Sequence, residues 1–375
     1  MTLQPSSKRI VYLDLLKVIA IFLVLANHCI DNVNPAERAE PWYNLWGSFY
    51  NTFSRPCVPL FMMVTGILLL PTRMSMGQFY RKRITRVLIP FVIWSVLYNL
   101  FPWVTGLLGC EPESIHLFFK WADTSQAWSD ALTNILMIPF NFSPFAIQMW
   151  YVYVLIGIYL YLPIFSAWVE RSTKQEQRWV LALWFVSMFV PYLRVYLPPN
   201  LFGTCSWNEF GVFYYLSGFS GYLLLGHHLV KYPLQLSRSK KYLLAVLTFV
   251  VGYIVSFIGF KTVSGVPGQT DEMVELFFTF CSPNVALMTF AIFIACQGIT
   301  FGSKVSKAIT TLSVCTFGIW MCHYFLVGPV FLLIDPLPIH VLLKVLIENF
   351  LVLFISFVFV YAVRSTGKVG QRIMG

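Results

Sequence analysis

Charge is what this chain has least of. Asp, Glu, Lys and Arg make up 11% of its 375 residues, where an average soluble domain carries about 25%. So few charges cannot cover a water-soluble globule of this size. A mean hydropathy of +0.70 and 58% hydrophobic residues point to the bilayer instead. Acids are scarcer than bases, sixteen against twenty-six, for a net charge of +10. In a soluble chain that excess would suggest nucleic acid. Here the placement of the bases explains it, and no nucleic-acid partner is expected. CxxC pairs are also missing. Cys29, Cys57, Cys110, Cys205, Cys281, Cys296, Cys315 and Cys322 stand singly, mostly in apolar runs, and read as buried inert thiols. Cys110 and Cys205 fall in loops placed outside, and a disulfide between them is not expected. There is no soluble domain, internal repeat or low-complexity segment, and no matching pair of Gly/Pro-interrupted spans of the kind inverted-repeat transporters show.

What is present is a series of apolar runs. Runs of spanning length lie near 10–30, 47–70, 87–105, 148–169, 179–197, 210–230, 242–260, 281–301, 309–333 and 339–363. The first could mimic a signal peptide, since Lys8 and Arg9 precede it. Asp14 and Lys17 interrupt it and no small-x-small site follows, so it reads as an uncleaved span. With the N-terminus cytoplasmic, nineteen basic residues fall in inner segments and only Arg38, Lys120, Arg194 and Lys261 in outer ones. Twelve of the sixteen acids fall outside. A wrong number of spans would scramble that alternation. The expected fold is therefore an all-α polytopic membrane bundle of about ten transmembrane helices. Both termini are cytoplasmic and residues 1–375 form one domain. The long outer loop, 106–147, holds Trp121 and Trp128, with Trp103 just before it. Its apolar piece 131–140 is too short to span and lies in the interface or re-enters.

Ionisable residues inside such runs cost roughly 2.5–3.5 kcal/mol each on insertion scales. Those that persist are candidates for function. Asp14 and Lys17 are three apart on span one, close enough to pair. Lys17 and His28 are eleven apart, nearly the same helix face and ~16 Å along the axis, so one polar stripe runs inward and ends in an imidazole. In FYRKRITRVLIP (79–90), Arg83 and Arg86 share a face at the inner edge of span three, beside Lys82. That geometry suits bidentate phosphate binding, and a positive-inside anchor explains the same residues equally well. Arg55 stands with Pro56 and Pro59 at the outer entry of span two, a kink or the wall of a site. QMWYVYVLIGIYLYLP (148–163) opens span four with an aromatic girdle, and His323 lies within span nine. Lys344 and Glu348, four apart on span ten, are expected to satisfy each other. His227 and His228 lack partner ligands and are not read as a metal site.

Together these stretches resemble the acyltransferase-3 family of integral-membrane O-acyltransferases over nearly the whole chain. YLDLLKVIAIFLVLANHC is similar to the family's first helix, a basic residue, ten intervening positions and a histidine, with Lys17 where the family usually has Arg. RPCVPLFMMVTGILLL resembles its second-span segment, and RITR (83–86) its Arg-x-x-Arg motif. MWYVYVLIGIYLYLP resembles its Trp-rich fourth segment, with the preceding Gln displaced to Gln148. TFGIWMCH resembles its late Gly-Ile-Tyr-x-x-His motif, with Trp320 in place of Tyr. The chain looks most like standalone members, such as those that O-acetylate enterobacterial common antigen.

The resemblance implies transfer of an acyl group, usually acetyl, from cytoplasmic acyl-CoA to a sugar hydroxyl. The acceptor would be a cell-surface polysaccharide or its lipid-linked precursor, and the setting the cell's inner membrane. Acetyl-CoA would be the donor substrate, its phosphates held by Arg83 and Arg86 with help from Lys82. The pantetheine arm would pass Lys17 and Asp14. His28 would act as general base or carry the acyl group transiently. Arg55 would steady the developing charge or the sugar, and Trp150, Tyr151 and His323 would face the acceptor. Asp31, three residues beyond His28, would orient the imidazole. No metal is required by this scheme. Two other readings stay open: a ten-span carrier for a glycan precursor or small anion, gated by Arg83 and Arg86, and a scaffold within a glycan-assembly complex.

Overall fold

A computed structural model describes residues 10–31, 41–110, 126–197, 200–208, 211–264, 270, 273 and 275–375. Expectations that rest on Lys8, Arg9, Arg38, Lys120, Trp121 and the side chain of Asp31 lie outside the described residues. The described chain is all α, with short 3₁₀ turns and no strand. Its helices are α1 (Val11–Asp31), α2 (Pro41–Ser54), α3 (Cys57–Leu69), α4 (Met76–Leu107), α5 (Trp128–Met137), α6 (Trp150–Arg171), α7 (Lys174–Ser187) and α8 (Val190–Tyr196). They continue with α9 (Ser220–Lys231), α10 (Arg238–Ser264), α11 (Pro283–Cys296), α12 (Ser303–Cys322), α13 (Tyr324–Ile334), α14 (Val341–Ser365) and α15 (Lys368–Met374).

Among the described residues, eight helical stretches are long and apolar enough to cross a membrane, and α11 and α13 are shorter apolar helices. This is a polytopic helical membrane bundle. The backbone departs from the apolar runs where glycine or an unusual carbonyl partner intervenes. The run at 210–230 is helical only from Ser220, because Gly211 and Gly218 take φ of 54° and 84°. The run at 281–301 stops at Cys296, with Gly298 at φ 85° just beyond. The run at 309–333 is interrupted at His323, between α12 and α13. Span two is divided between α2 and α3 at Arg55–Pro56, where the sequence places its prolines.

At ~1.5 Å per residue, the 32 residues of α4 measure ~48 Å, against a hydrocarbon core of ~30 Å. The surplus accommodates its first turns, where the bases are clustered. Ser75 caps that end, its hydroxyl accepting from the Gln78 N–H at 3.4 Å.

The chain folds as two compact units, interleaved along the sequence: 1–23, 51–70 and 169–314 in the first, 24–50, 71–168 and 315–375 in the second. In the first unit, α3 and α9 approach until their backbones touch. A Cβ on Gly66 would lie 2.1 Å from the Leu223 carbonyl oxygen, and one on Gly226 would lie 2.3 Å from that of Met63. Small residues at such crossings let dispersion act between helices where lipid supplies no hydrophobic drive. The same unit buries an amide network. The Asn284 NH₂ donates to Ser256 Oγ at 2.6 Å and to the Phe277 carbonyl at 2.8 Å, while its oxygen accepts from the Tyr192 hydroxyl at 2.8 Å. In the second unit, α4 is keyed by rings. Tyr98 stacks on Phe325 with centroids 4.0 Å apart, and the Trp94 indole N–H donates to the Ile373 carbonyl of α15 at 3.2 Å.

The glycine crossing is testable. Gly66→Ala and Gly226→Ala each drive a methyl into backbone that cannot swing aside, and each is expected to destabilise by about 1–3 kcal/mol. Gly157→Ala, with nothing within 4 Å of the added carbon, should leave stability unchanged or slightly raised. Thermal melts of the three variants in one detergent check the contrast.

Candidate active site

In the second unit, the end of α1 brings an imidazole to the interruption between α12 and α13. His28 and His323 lie with ring centroids 5.2 Å apart and planes tilted by 39°, and Tyr324 meets His28 edge-on at 5.5 Å. His28 is half-buried, whereas His323 is fully buried. Two carbonyls at the interruption are taken by side chains: His323 Nδ1 lies 2.7 Å from the Trp320 oxygen, and the Tyr98 hydroxyl donates to the Met321 oxygen at 2.8 Å. A carbonyl oxygen only accepts, so Nδ1 of His323 carries the proton. In the neutral ring, Nε2 then holds a lone pair. That Nε2 is sealed from solvent and has no hydrogen-bond partner among the described residues.

An aromatic wall stands beside it. Tyr151 packs against Trp320 at 5.3 Å and Trp150 against Tyr151 at 6.0 Å. The 3₁₀ turn before them, Pro144–Met149, buries Gln148 beside the Tyr98 hydroxyl. The Gln148 amide makes no hydrogen bond of ordinary geometry among the described residues.

At the other end of α4, Arg83 is half-buried, and Arg86 and Lys82 are exposed. The first turns of α4 lie along α6: Phe79 packs on Tyr159 at 6.0 Å and the Tyr80 hydroxyl donates to the Leu160 carbonyl at 2.7 Å. Both guanidiniums are within electrostatic reach of the Tyr159 ring. The Nε–H of Arg83 is sealed from solvent and has no hydrogen-bond partner among the described residues. A buried charged donor left unmet is costly, so this one fits a group that arrives with a substrate. Arg83 and Tyr98 are fifteen residues apart on one helix, ~22 Å along its axis.

Asp14, Lys17 and Arg55 belong to the first unit. Lys17 Nζ lies 3.1 Å from Asp14 Oδ1. The carboxylate also accepts from Ser313 Oγ at 2.7 Å and Thr310 Oγ1 at 3.2 Å. Both its oxygens are engaged, as a buried carboxylate requires. Arg55 is held by three groups: Asn51 Oδ1 at 3.3 Å, Glu275 Oε2 at 3.6 Å and the Phe278 ring 4.4 Å below its guanidinium carbon. His227 and His228 tie helix ends together, to the Leu70 carbonyl at 3.0 Å and the Gln177 side chain at 2.9 Å.

One expected pairing is corrected. Lys344 does not turn to Glu348; its ammonium lies 3.4 Å from Asp335 Oδ1 and also binds the Asp335 carbonyl. Asp335 closes α13, where the carbonyl dipoles favour a cation, and half of its side chain stays in solvent. Glu348 is buried on α14. Among the described residues no three His, Cys, Asp or Glu gather as a metal site. Cys110 and Cys205 remain separate thiols.

A family model described as an acyltransferase domain matches residues 10–364. The chain belongs to the acyltransferase-3 family. No curated protein and no solved structure matches it. This multi-pass membrane acyltransferase therefore has to be read from its own residues. Several polar groups near the candidates were not singled out in the sequence. Tyr98 and Tyr324 sit in apolar runs like many other aromatic residues, and Thr310 and Ser313 approach Asp14 across almost three hundred positions. Only Gln148 left a signal, as the displaced polar residue before Trp150.

For the acyltransferase's first unit, the Asp14 environment sets a stability expectation. Asp14→Ala leaves the Lys17 ammonium without its counter-charge and should destabilise by about 3–5 kcal/mol. Adding Lys17→Met should return most of that loss. Melting curves of the single and double variants decide whether the two residues act as a pair.

Proposed function

We propose that this acyltransferase moves an acyl group, typically acetyl, from cytoplasmic acyl-CoA to a hydroxyl of a surface polysaccharide or its lipid-linked precursor, in the inner membrane. The observation that carries the reading is the sealed Nε of Arg83, which has no hydrogen-bond partner among the described residues. It stands at the basic start of the same helix that, fifteen residues on, anchors the interruption beside His28 and His323. Charge distribution puts the Arg83 end at the cytoplasmic surface.

On this reading, Arg83 and Arg86 grip phosphate oxygens as planar forks and Lys82 adds a screened, exposed charge. His28, half-buried and not sealed, meets the acceptor hydroxyl as general base, a role worth typically 10²–10⁴-fold. The hydroxyl oxygen forms the new C–O bond and the thioester C–S bond breaks. The hydroxyl proton passes to His28 and then to the leaving thiolate, so the products are the ester and free CoA thiol. Trp150 and Tyr151 offer aromatic faces to the sugar. Asp14 and Lys17 anchor α1, and Arg55 is committed to its own partners; no proton step is assigned to either group.

Inverted membrane vesicles given labelled acetyl-CoA test the proposal. Wild type should label a glycan or lipid-linked sugar, and His28→Ala should lose at least about 10²-fold in rate while still saturating with donor. Arg83→Ala/Arg86→Ala should raise the KM for acetyl-CoA by about tenfold or more, as loss of charge-assisted hydrogen bonds of ~1.5–3 kcal/mol each requires. Vesicles that label nothing but move a solute would replace the enzyme reading with the carrier.

A further inference from the structure

We propose that the inner end of the first unit carries a binding site for an anionic phospholipid. Lys174, Arg178 and Lys231 take the headgroup phosphate, and the exposed apolar face of α7 takes an acyl chain. None of these residues is assigned to acyl transfer, and the proposal does not rest on that reaction.

Three observations carry it. First, three cations converge on one pair of rings. The ammoniums of Lys174 and Lys231 lie 5.5 Å and 5.3 Å from the centre of the Tyr232 ring, within cation–π range. The His228 ring, 5.0 Å from Tyr232, is within electrostatic reach of both lysines and of Arg178. All three cations are exposed, and none makes an ion pair among the described residues. Second, the helix ends that carry them are locked together. The His228 Nδ1–H donates to Gln177 Oε1 at 2.9 Å, and the Gln177 NH₂ donates to Ser172 Oγ at 2.9 Å. Gln177 and His228 are buried, so the fold itself brings the start of α7 to the end of α9. Third, the exposed face of α7 continues beyond Arg178 as an apolar strip. Trp179, Leu183 and Val186 form it, at helical spacings of four and three.

The positive-inside rule accounts for bases at this surface, but not for their meeting. Like charges four apart on one helix, as Lys174 and Arg178 are, oppose each other, and Lys231 adds a third. An anion relieves that conflict. The amides at the start of α7 do not supply the site, because a capping box already meets them. The Glu176 carboxylate accepts from the Thr173 N–H at 2.6 Å, and Thr173 Oγ1 accepts from the Glu176 N–H at 3.2 Å. Recognition therefore falls to the side chains. Arg178 offers a planar fork to two phosphate oxygens, and the lysines act as point charges. The apolar strip beside the cations favours a phosphate that carries hydrocarbon over a free ion. Basic clusters at the inner leaflet draw anionic lipids in this way.

Trp179 reports on its own neighbours. Full-length protein is reconstituted in phosphatidylcholine bilayers that contain a small, equal fraction of chain-brominated phosphatidylglycerol or chain-brominated phosphatidylcholine. Bromine quenches tryptophan at short range, and the difference between wild type and Trp179→Phe isolates the one ring. Brominated phosphatidylglycerol should quench Trp179 more strongly than brominated phosphatidylcholine. Lys174→Gln, Arg178→Gln and Lys231→Gln should each lower that preference by about fivefold, the weight of one cation at an anionic surface. Lys231→Arg should keep it. Lys304→Gln/Lys307→Gln removes two exposed bases at the start of α12 and should leave it unchanged. Equal quenching by the two lipids in wild type would overturn the proposal, as would an equal loss in the Lys304/Lys307 variant. Should one single variant fail to insert, the other two carry the test. Melting in detergent with inorganic phosphate separates the other source of the same chemistry. A rise in wild type that the three substitutions abolish, without any lipid preference, would assign the cations to a soluble phosphate and reject the lipid.

Discussion

Where α12 gives way to α13 within one apolar run, two carbonyls of buried residues are met by side chains, and the second unit depends on how they are met. The Trp320 oxygen is answered by the imidazole of His323 and the Met321 oxygen by the hydroxyl of Tyr98. Irregular backbone survives at membrane depth only where protein supplies such partners. The interruption therefore fixes more than a bend. It commits one nitrogen of His323 to structure, and through Tyr98 it anchors the far part of α4, whose first turns carry Arg83 and Arg86. One accounting of carbonyl partners thus connects the aromatic core, the imidazole pair and the basic entrance.

Buried polar groups are met in two ways, and both occur in the first unit, where Asp14 is saturated while the Nε of Arg55 is unmatched among the described residues. Around Asp14 the answer is saturation, since an ammonium and two hydroxyls meet both carboxylate oxygens. Around His28 and Arg83 the answer is reserve: an imidazole lone pair and a guanidinium N–H are sealed but unmatched among the described residues. Saturated groups rigidify their surroundings, while groups held in reserve gain from whatever enters.

Local features were the legible part of the sequence. Asp14 and Lys17 pair because they are three apart on one helix, and Pro56 divides α2 from α3 as a proline should. The family resemblance, read from short motifs in order, is matched by a family model over residues 10–364. Contacts between distant segments were illegible. Apolar periodicity identifies a span but not its neighbour, so neither the meeting of His28 with His323 nor the closing of Ser313 on Asp14 could be derived. Lys344 shows the limit of local rules. A Glu four residues on is an acceptable partner, yet an acid at the end of the preceding helix offers a carboxylate and a helix terminus together, with less desolvation.

The length of α4 carries a consequence for lipids. A rod of ~48 Å in a core of ~30 Å leaves its basic end at a height set by the surrounding acyl chains. Thicker bilayers draw that turn toward the headgroups, and thinner ones push it into solvent or tilt the rod. Arg83 and Arg86 are rigidly joined to this helix, so the phosphate grip proposed for them would ride on membrane thickness. On that proposal, donor affinity in short-chain detergent and in long-chain lipid would differ through mechanics alone, without any lipid binding the protein.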